Sequence, residues 1–263
     1  MKFRGNMKRS YATYSEYAQR PSFGALFRDV FTTIINFDKD YLGQKEVILS
    51  RRLLNDEPKV SFEEAEANWI NYLRNRKTKI QTIHAFDVSQ ELLNAIAEQP
   101  QIKKIVIQYP EFSDLSVLQK MPSLEYLELD QCPADMDLKP LVNCKSLRVL
   151  HIFARKPLNF ESVGKITQLE GLWFGTGIDP GFDKWVKVDN LHFLRNLKNL
   201  KRLRFNVKPL DSDLSPALSL DNLEEAWYVY FKGQYPSVEE MAKAHPAFVK
   251  VYENYLDMKS GNW

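Results

Sequence analysis

Apolar residues recur along this chain with the spacing apolar-x-x-apolar-x-apolar, most plainly at Leu124, Leu127 and Leu129 and at Leu147, Leu150 and Ile152. The same spacing is present at Ile80/Ile83/Ala85, Ile102/Ile105/Ile107, Leu169/Leu172/Phe174, Leu200/Leu203/Phe205 and Leu223/Ala226/Tyr228. The first residues of these seven units lie 22, 22, 23, 22, 31 and 23 residues apart. A fixed period in that range predicts a solenoid, in which each unit covers its apolar face only by stacking on the next. Between the triplets runs a second apolar set, nine, six and three residues before the next unit begins: Leu115, Leu118 and Met121; Leu138, Leu141 and Cys144; Phe160, Val163 and Ile166; Leu191, Leu194 and Leu197; Leu214, Ala217 and Leu220. Steps of three predict a short helical or 3₁₀ segment with one stripe on the core. Each unit is therefore one strand, a turn and a convex-side segment leading back.

The flanks read differently. Residues 1–20 hold five Lys or Arg against one Glu, which predicts a flexible basic arm. In residues 21–78, expected to be a helical cap region, Phe23, Leu26, Phe27, Val30, Phe31, Ile34 and Ile35 recur at helical steps after Pro21. Val47, Ile48, Leu49, Leu53 and Leu54 are candidates for a short second element. Ser61 and Glu64 form a capping-box pattern that opens a helix through about Arg76, with Phe62, Ala65, Trp69, Tyr72 and Leu73 on its buried side. The solenoid is expected over 79–232. After Pro236, Ser237 and Glu240 repeat the capping pattern, and residues 233–263 read as a helical C-terminal cap with Phe248, Val251, Tyr252 and Tyr255 facing inward. The long fifth unit carries a loop at 175–190, rich in Gly and Asp. Its Asp179, Asp183 and Asp189 match no calcium-loop spacing, so no metal is expected.

Composition narrows the function. No apolar run approaches the ~18 residues of a membrane span, and the N-terminus has no secretory core, so a cytoplasmic protein is the expectation. A net charge of +2 argues against nucleic acid or membrane as bulk electrostatic partners. Two cysteines, Cys132 and Cys144, support neither a disulfide framework nor a cysteine-rich zinc site, and both fall at positions the repeat buries.

The triplet spacing followed by Leu138, Leu141 and Cys144 resembles the 22-residue leucine-rich repeat of bacterial internalin-type proteins, over about residues 80–231. The resemblance implies an α/β solenoid, a leucine-rich-repeat horseshoe of about seven parallel strands on the concave face with helical caps at both ends. One departure matters. The family places Asn or Cys three residues after the last strand leucine, whereas this chain has Val88, Pro110, Cys132, Arg155, Gly177, Lys208 and Phe231 there, of which only Cys132 conforms. Some other device must tie the turns together.

Side chains alternate across a strand, so residues between the core positions face the concave side. They form three rows. The central row is His84, Val106, Glu128, His151, Trp173, Arg204 and Trp227. Its neighbours are Thr82, Lys104, Tyr126, Val149, Gly171, Arg202 and Glu225 on one side, and Phe86, Gln108, Asp130, Phe153, Gly175, Asn206 and Val229 on the other. Aromatic and Arg side chains dominate protein–protein hot spots, and mixed charge around them suits a protein partner better than a polyanion. The candidate partner-binding residues are Tyr126, Glu128, Asp130, His151, Phe153, Trp173, Arg202, Arg204 and Trp227, with Trp185 from the inserted loop. A competing arrangement has Trp173 and Trp227 covered by that loop or by the C-terminal helices.

No nucleophile elbow, phosphate loop or metal-binding spacing is present, so neither catalysis nor a cofactor is expected. The expected function is a non-enzymatic protein-binding module, monomeric when unbound. The resemblance adds a bacterial immunity or regulatory protein that neutralises a toxin or effector. Two alternatives stay open: an accessory or scaffold domain binding through its termini, and a small hydrolase-type enzyme using Glu128 with His151.

Overall fold

The computed structural model describes residues 41–50, 61–154, 156–175 and 186–260. The expectations for the basic arm, the helix after Pro21, Leu53 and Leu54, Arg155, and the loop residues 176–185 with Trp185 lie outside the described residues.

Nine parallel strands form one sheet among the described residues: β1 (Glu46–Ser50), β2 (Thr82–Phe86), β3 (Lys104–Gln108), β4 (Tyr126–Cys132), β5 (Val149–Ala154), β6 (Gly171–Gly175), β7 (Val186–Val188), β8 (Arg202–Pro209) and β9 (Glu225–Tyr228). Strands β1 to β6 are neighbours in chain order, and β8 follows β6. The first half of β8 pairs with β6 on one edge and β9 on the other, while its last three residues pair with β7. Every apolar position of the seven triplets is buried, as is every position of the second apolar set, in one continuous core. The chain is an α/β solenoid of leucine-rich-repeat architecture.

The steps of three have a direct cause. Leu118 N donates to Leu115 O, Met121 N to Leu118 O and Leu124 N to Met121 O, at 3.1, 3.1 and 3.3 Å. The residues that bury the convex stripe are thus the ones whose backbones close the 3₁₀ turns. The pattern repeats from Leu138 through Leu147, from Phe160 through Leu169 and from Leu191 through Leu200.

A second set of bonds joins unit to unit. The residue just before each strand donates its N–H to its counterpart one unit earlier: Gln81 to Lys45, Lys103 to Gln81, Glu125 to Lys103, Arg148 to Glu125, Glu170 to Arg148, Lys201 to Glu170 and Glu224 to Lys201, at 2.6–2.9 Å. Side chains reinforce this corner. Ser146 Oγ donates to Pro122 O, Gln168 Nε2 to Cys144 O, Asn199 Nδ2 to Thr167 O and Asn222 Nδ2 to Lys198 O. The amide ladder missing after the strands has moved to the residue before the first core leucine. At the ends of the strands, Asp87, Tyr109 and, within the last residues of β4, Gln131 adopt left-handed backbone with φ of 53, 56 and 64°. This turn aims Asp87 N at Gln108 O and Tyr109 N at Asp130 O, each at 2.9 Å.

The sheet begins earlier than the period indicates. Residues 46–50, in the region expected to be helical, form β1 because Val47 and Leu49 align with Ile83 and Ala85 and bury with them. Helix α1 (Phe62–Asn75) follows with Ser61 Oγ accepting from Glu64 N, and Ala65, Trp69 and Leu73 turn inward. Its C-terminal carbonyls are received by Gln99, which stands where later units place an apolar residue. Gln99 Nε2 donates to Leu73 O at 2.6 Å and Arg76 O at 2.8 Å, satisfying groups a helix end leaves open. The return from β2 is a true α-helix, α2 (Gln90–Ala97), capped by Ser89. At the far end α3 (Val238–Ala244) opens on a complete Ser237–Glu240 capping box, and α4 (Val249–Ser260) lies beside β9. Among the described residues no helix is long and apolar enough to cross a membrane.

Both cysteines are free and buried; burial pushes the Cys144 thiol up to about 11 and raises that of Cys132 as well. Thiol titration of the native protein at pH ~8 is therefore expected to be slow, since the thiolate is the reactive form. Unfolding should release both thiols. Leu127→Ala should cost about 2–5 kcal/mol in a urea titration, and Gln168→Ala about 1 kcal/mol through the lost corner bond.

Candidate functional site

Strand register brings the three outward rows together as the alternation requires. Glu128 lies opposite His151, His151 opposite Trp173, Trp173 opposite Arg204 and Arg204 opposite Trp227. Tyr126 and Glu128 point the same way from one strand. One departure occurs: β4 bulges between Leu129 and Cys132, so Asp130 pairs with Gln108 but is out of step with Phe153. The bulge coincides with the left-handed Gln131.

The side chains form one connected path. Lys104 Nζ sits 4.7 Å from the Tyr126 ring centre. Tyr126 Oη donates to Glu128 Oε2 at 2.6 Å, and His151 Nδ1 lies 3.1 Å from that hydroxyl and 3.3 Å from the carboxylate. The His151 ring meets Trp173 edge-to-face at 5.4 Å, and Phe153 meets Trp173 at 5.0 Å. Arg204 covers the other side of Trp173 at 5.3 Å and donates to Glu225 Oε1 at 2.7 Å. Edge-to-face rings and cation–π contacts each hold geometry as well as energy.

The path changes character along its length. Ile48, His84, Val106, Glu128, His151 and Trp173 are all buried, with His151 1% and Trp173 3% exposed, and Tyr126, Asp130 and Phe153 are equally enclosed. Beyond β6 the face opens. Arg202 and Arg204 keep 15–16% of their side chains in water, Glu225 keeps 38%, and Trp227 is half-buried. Trp227 leads into a groove of about 460 Å³ between β9 and α4, lined by Tyr228, Tyr230, Val251, Tyr255 and Met258. Of the outward aromatic side chains expected on this face, only Trp227 on β9 reaches solvent among the described residues, beside the part-exposed arginines of β8, while from β1 to β6 the same rows are closed. Trp173 is covered and Trp227 is not fully so.

Among the described residues, four polar atoms on the closed rows have no hydrogen-bond partner: His84 Nδ1, Gln108 Nε2, Glu128 Oε1 and Trp173 Nε1. An unpaired buried polar atom costs about 1–3 kcal/mol, so such groups are rare where a face serves stability alone. Electrostatics is equally constrained. Burial pushes the Glu128 carboxyl up, but the His151 hydrogen bond and charge, the Tyr126 hydroxyl and Lys104 outweigh it and leave it below the usual carboxylate value. Burial likewise pushes Glu46 up, and its bond to His84 brings it below that value. His84 Nε2 holds Glu46 Oε1 at 2.9 Å, yet burial dominates and lowers the imidazole below its ordinary value.

Sequence reasoning missed Glu46 as the partner of His84, because β1 lies off the repeat period. Lys104, Gln108 and Glu225 stood in its rows and would have been found by asking which neighbours a buried carboxylate or indole needs. Among the described residues, His192, Asp211 and Asp213 bring ligand atoms within 4.8 Å of one another. Asp211 and Asp213 already cap backbone N–H groups of Asp213 and Ser215, which accounts for their placement without an ion.

No protein-family model matches the chain, and no protein of curated function does. Among solved structures, an internalin (inlF) of Listeria monocytogenes resembles it with a TM-score of 0.45 and 21% identity, over 57% of this chain and 41% of its own. An internalin C2 (inlC2) of the same organism gives 0.42 and 22%, over 63% of this chain and 69% of its own. This chain thus spans less than half of the first.

The pH dependence follows with its sign. The unfolded chain protonates at His84's position first, so stability is full above ~6.5 and is lost as pH falls below it. Glu46 and Glu128, held low in the fold, extend the loss through the carboxylate range. In His84→Gln the urea midpoint should change less between pH ~7.5 and ~5.5 than in the parent, with the more acidic limb retained.

Proposed function

We propose that the solenoid is a non-enzymatic protein-binding module whose concave face recognises a protein partner. What supports this reading most is the open end of the face, where Arg204 packs against Trp173 at 5.3 Å and pairs with Glu225 at 2.7 Å, and half-buried Trp227 leads into a groove of about 460 Å³. Aromatic and Arg side chains that reach solvent in this way are the ones that anchor protein partners. The entry point is the open end, where Arg204 and Trp227 flank the groove beside α4.

The contact between Glu128 and His151 has the composition of a general-base pair. A base must come within hydrogen-bond reach of a substrate proton, and His151, at 1% exposure, offers no such approach. Its contacts are to Tyr126, Glu128, Phe153 and Trp173, all of them structural. Within the protein-binding reading we carry one partner class forward by analogy alone, a toxin or effector that this chain blocks as an immunity or regulatory protein.

The test is comparative affinity capture, with quantitative mass spectrometry of proteins retained by the parent and by Arg204→Glu and Trp227→Ala. A protein retained by the parent should bind both variants roughly tenfold or more weakly in a purified titration, the scale of a hot-spot loss. Undiminished binding by both variants, together with loss on removing residues 1–20, would transfer recognition from the concave face to the termini. A partner encoded beside this chain and toxic on its own would establish the immunity role.

A further inference from the structure

Helix α4 covers the end of the sheet incompletely. Val251, Tyr255 and Met258 recur at helical steps on the side that faces β9. Val251 is buried, but Tyr255 is half-buried and Met258 exposed, so the contact loosens toward the end of the helix. The groove of about 460 Å³ lies there, with Trp227 and Tyr230 on its strand side and Asp257 also in its lining.

Aromatic rings dominate this lining. Tyr230 and Tyr255 meet edge-to-face at 4.8 Å, which makes an aromatic corner, and Tyr230 Oη is engaged by Met258 Sδ at 3.1 Å. The faces of Trp and Tyr rings carry negative potential and attract cations, more strongly where water is kept away. The chain already uses this attraction on the same helix: Lys259 Nζ sits 4.7 Å from the Tyr255 ring centre, outside the groove lining. Charge points the same way. Asp257 is the charged side chain of the lining, its backbone carbonyl accepts from Ser260 Oγ, and its carboxylate is in no ion pair among the described residues. Arg204, opposite Trp227 in register, is neutralised by Glu225 at 2.7 Å, and Lys250 pairs with Glu253 at 3.1 Å.

The kind of cation follows from hydration. A metal ion or a bare ammonium holds its water tightly, and one carboxylate beside Val251 and Met258 cannot replace that shell. An alkylated ammonium spreads its charge over carbon, is weakly hydrated, and meets rings and apolar side chains with little loss. A groove of this size accommodates such a head group with a short tail. We propose that the groove is a binding site for a small alkylammonium cation, its head against Trp227, Tyr230 and Tyr255 and its charge balanced by Asp257. The site does not rest on the protein-binding reading, since its occupant is a free small molecule.

Choline and its neutral isostere dimethylbutanol, in which carbon replaces the charged nitrogen, separate charge from shape. In ligand-observed NMR titrations of the full chain at matched ionic strength, choline should bind roughly fivefold or more tightly than the alcohol, the scale of a partly desolvated cation–π site. Trp227→Leu keeps an apolar wall, so it should bring choline down to the level of the alcohol and leave the alcohol unchanged. Asp257→Asn, at an exposed position that folding does not depend on, should weaken choline several-fold and the alcohol not at all. Equal binding of the two ligands by the parent would overturn the proposal, as would the absence of choline binding in the millimolar range. Choline binding that survives both substitutions would also overturn it. If the choline arm fails while Trp227→Ala still loses a captured partner, the cation site falls and the protein-binding reading stands. If choline selectivity holds while capture is indifferent to Trp227 and Arg204, the reverse is true.

Discussion

A parallel sheet grown from successive units can continue only if the chain returns each time to the same edge at the same height. The N–H···O bonds that run from Lys45 through Gln81, Lys103, Glu125, Arg148, Glu170 and Lys201 to Glu224 set that height. Everything else adapts to it. The convex return is compressed into 3₁₀ turns because i→i+3 bonds let three short steps carry the chain back while each turn still buries its side chain. The concave rows fall into register because the corner fixes where each strand starts. A single misplaced corner would rotate every outward side chain of its unit relative to the next, and the path from Lys104 to Glu225 would break.

The fold was legible wherever its cause was periodic. Leu124, Leu127, Leu129, Leu115, Leu118 and Met121 declare both face and curvature, because burial at one height in every unit demands apolar chemistry at one spacing. The caps were legible for a local reason, since Ser61 and Ser237 with their Glu partners carry their own helix starts. What escaped notice was non-periodic or backbone-borne. Strand β1 precedes β2 by an interval outside the repeat, so Val47 and Leu49 had no phase to join. The turns at Asp87, Tyr109 and Gln131 need left-handed backbone without the Gly or Asn that announces it. The corner amides moved to Gln168, Asn199 and Asn222, where polar residues at a surface turn look unremarkable.

For the candidate site, the sequence disclosed which side chains adjoin but not how wet they are. Adjacency follows from alternation and register, both properties of a strand. Enclosure depends on what lies across the sheet, which no strand pattern encodes. The consequence is chemical as well as geometric. Glu128 as a surface residue would be a modest ion-pair partner; enclosed, it must be stabilised by Tyr126, His151 and Lys104 together, and its neighbours become fixed in turn. The open residues Arg204 and Glu225 pair just as closely, at 2.7 Å, but in water such a pair contributes little to stability and can exchange partners freely. One row thus joins a rigid section to an adaptable one.

Strands β6 and β8 pair residue for residue from Gly171 opposite Arg202 to Gly175 opposite Asn206, although the unit between them is 31 residues long. Gly175 makes this possible: its φ of 131° and the 2.4 Å that would separate a Cβ from Asn206 O leave room for no other residue. The chain departs there and resumes at Val186 without disturbing the lattice of its neighbours. That junction is a port in the scaffold, a point where foreign sequence could be grafted or natural sequence could diversify while the frame on either side keeps its gauge.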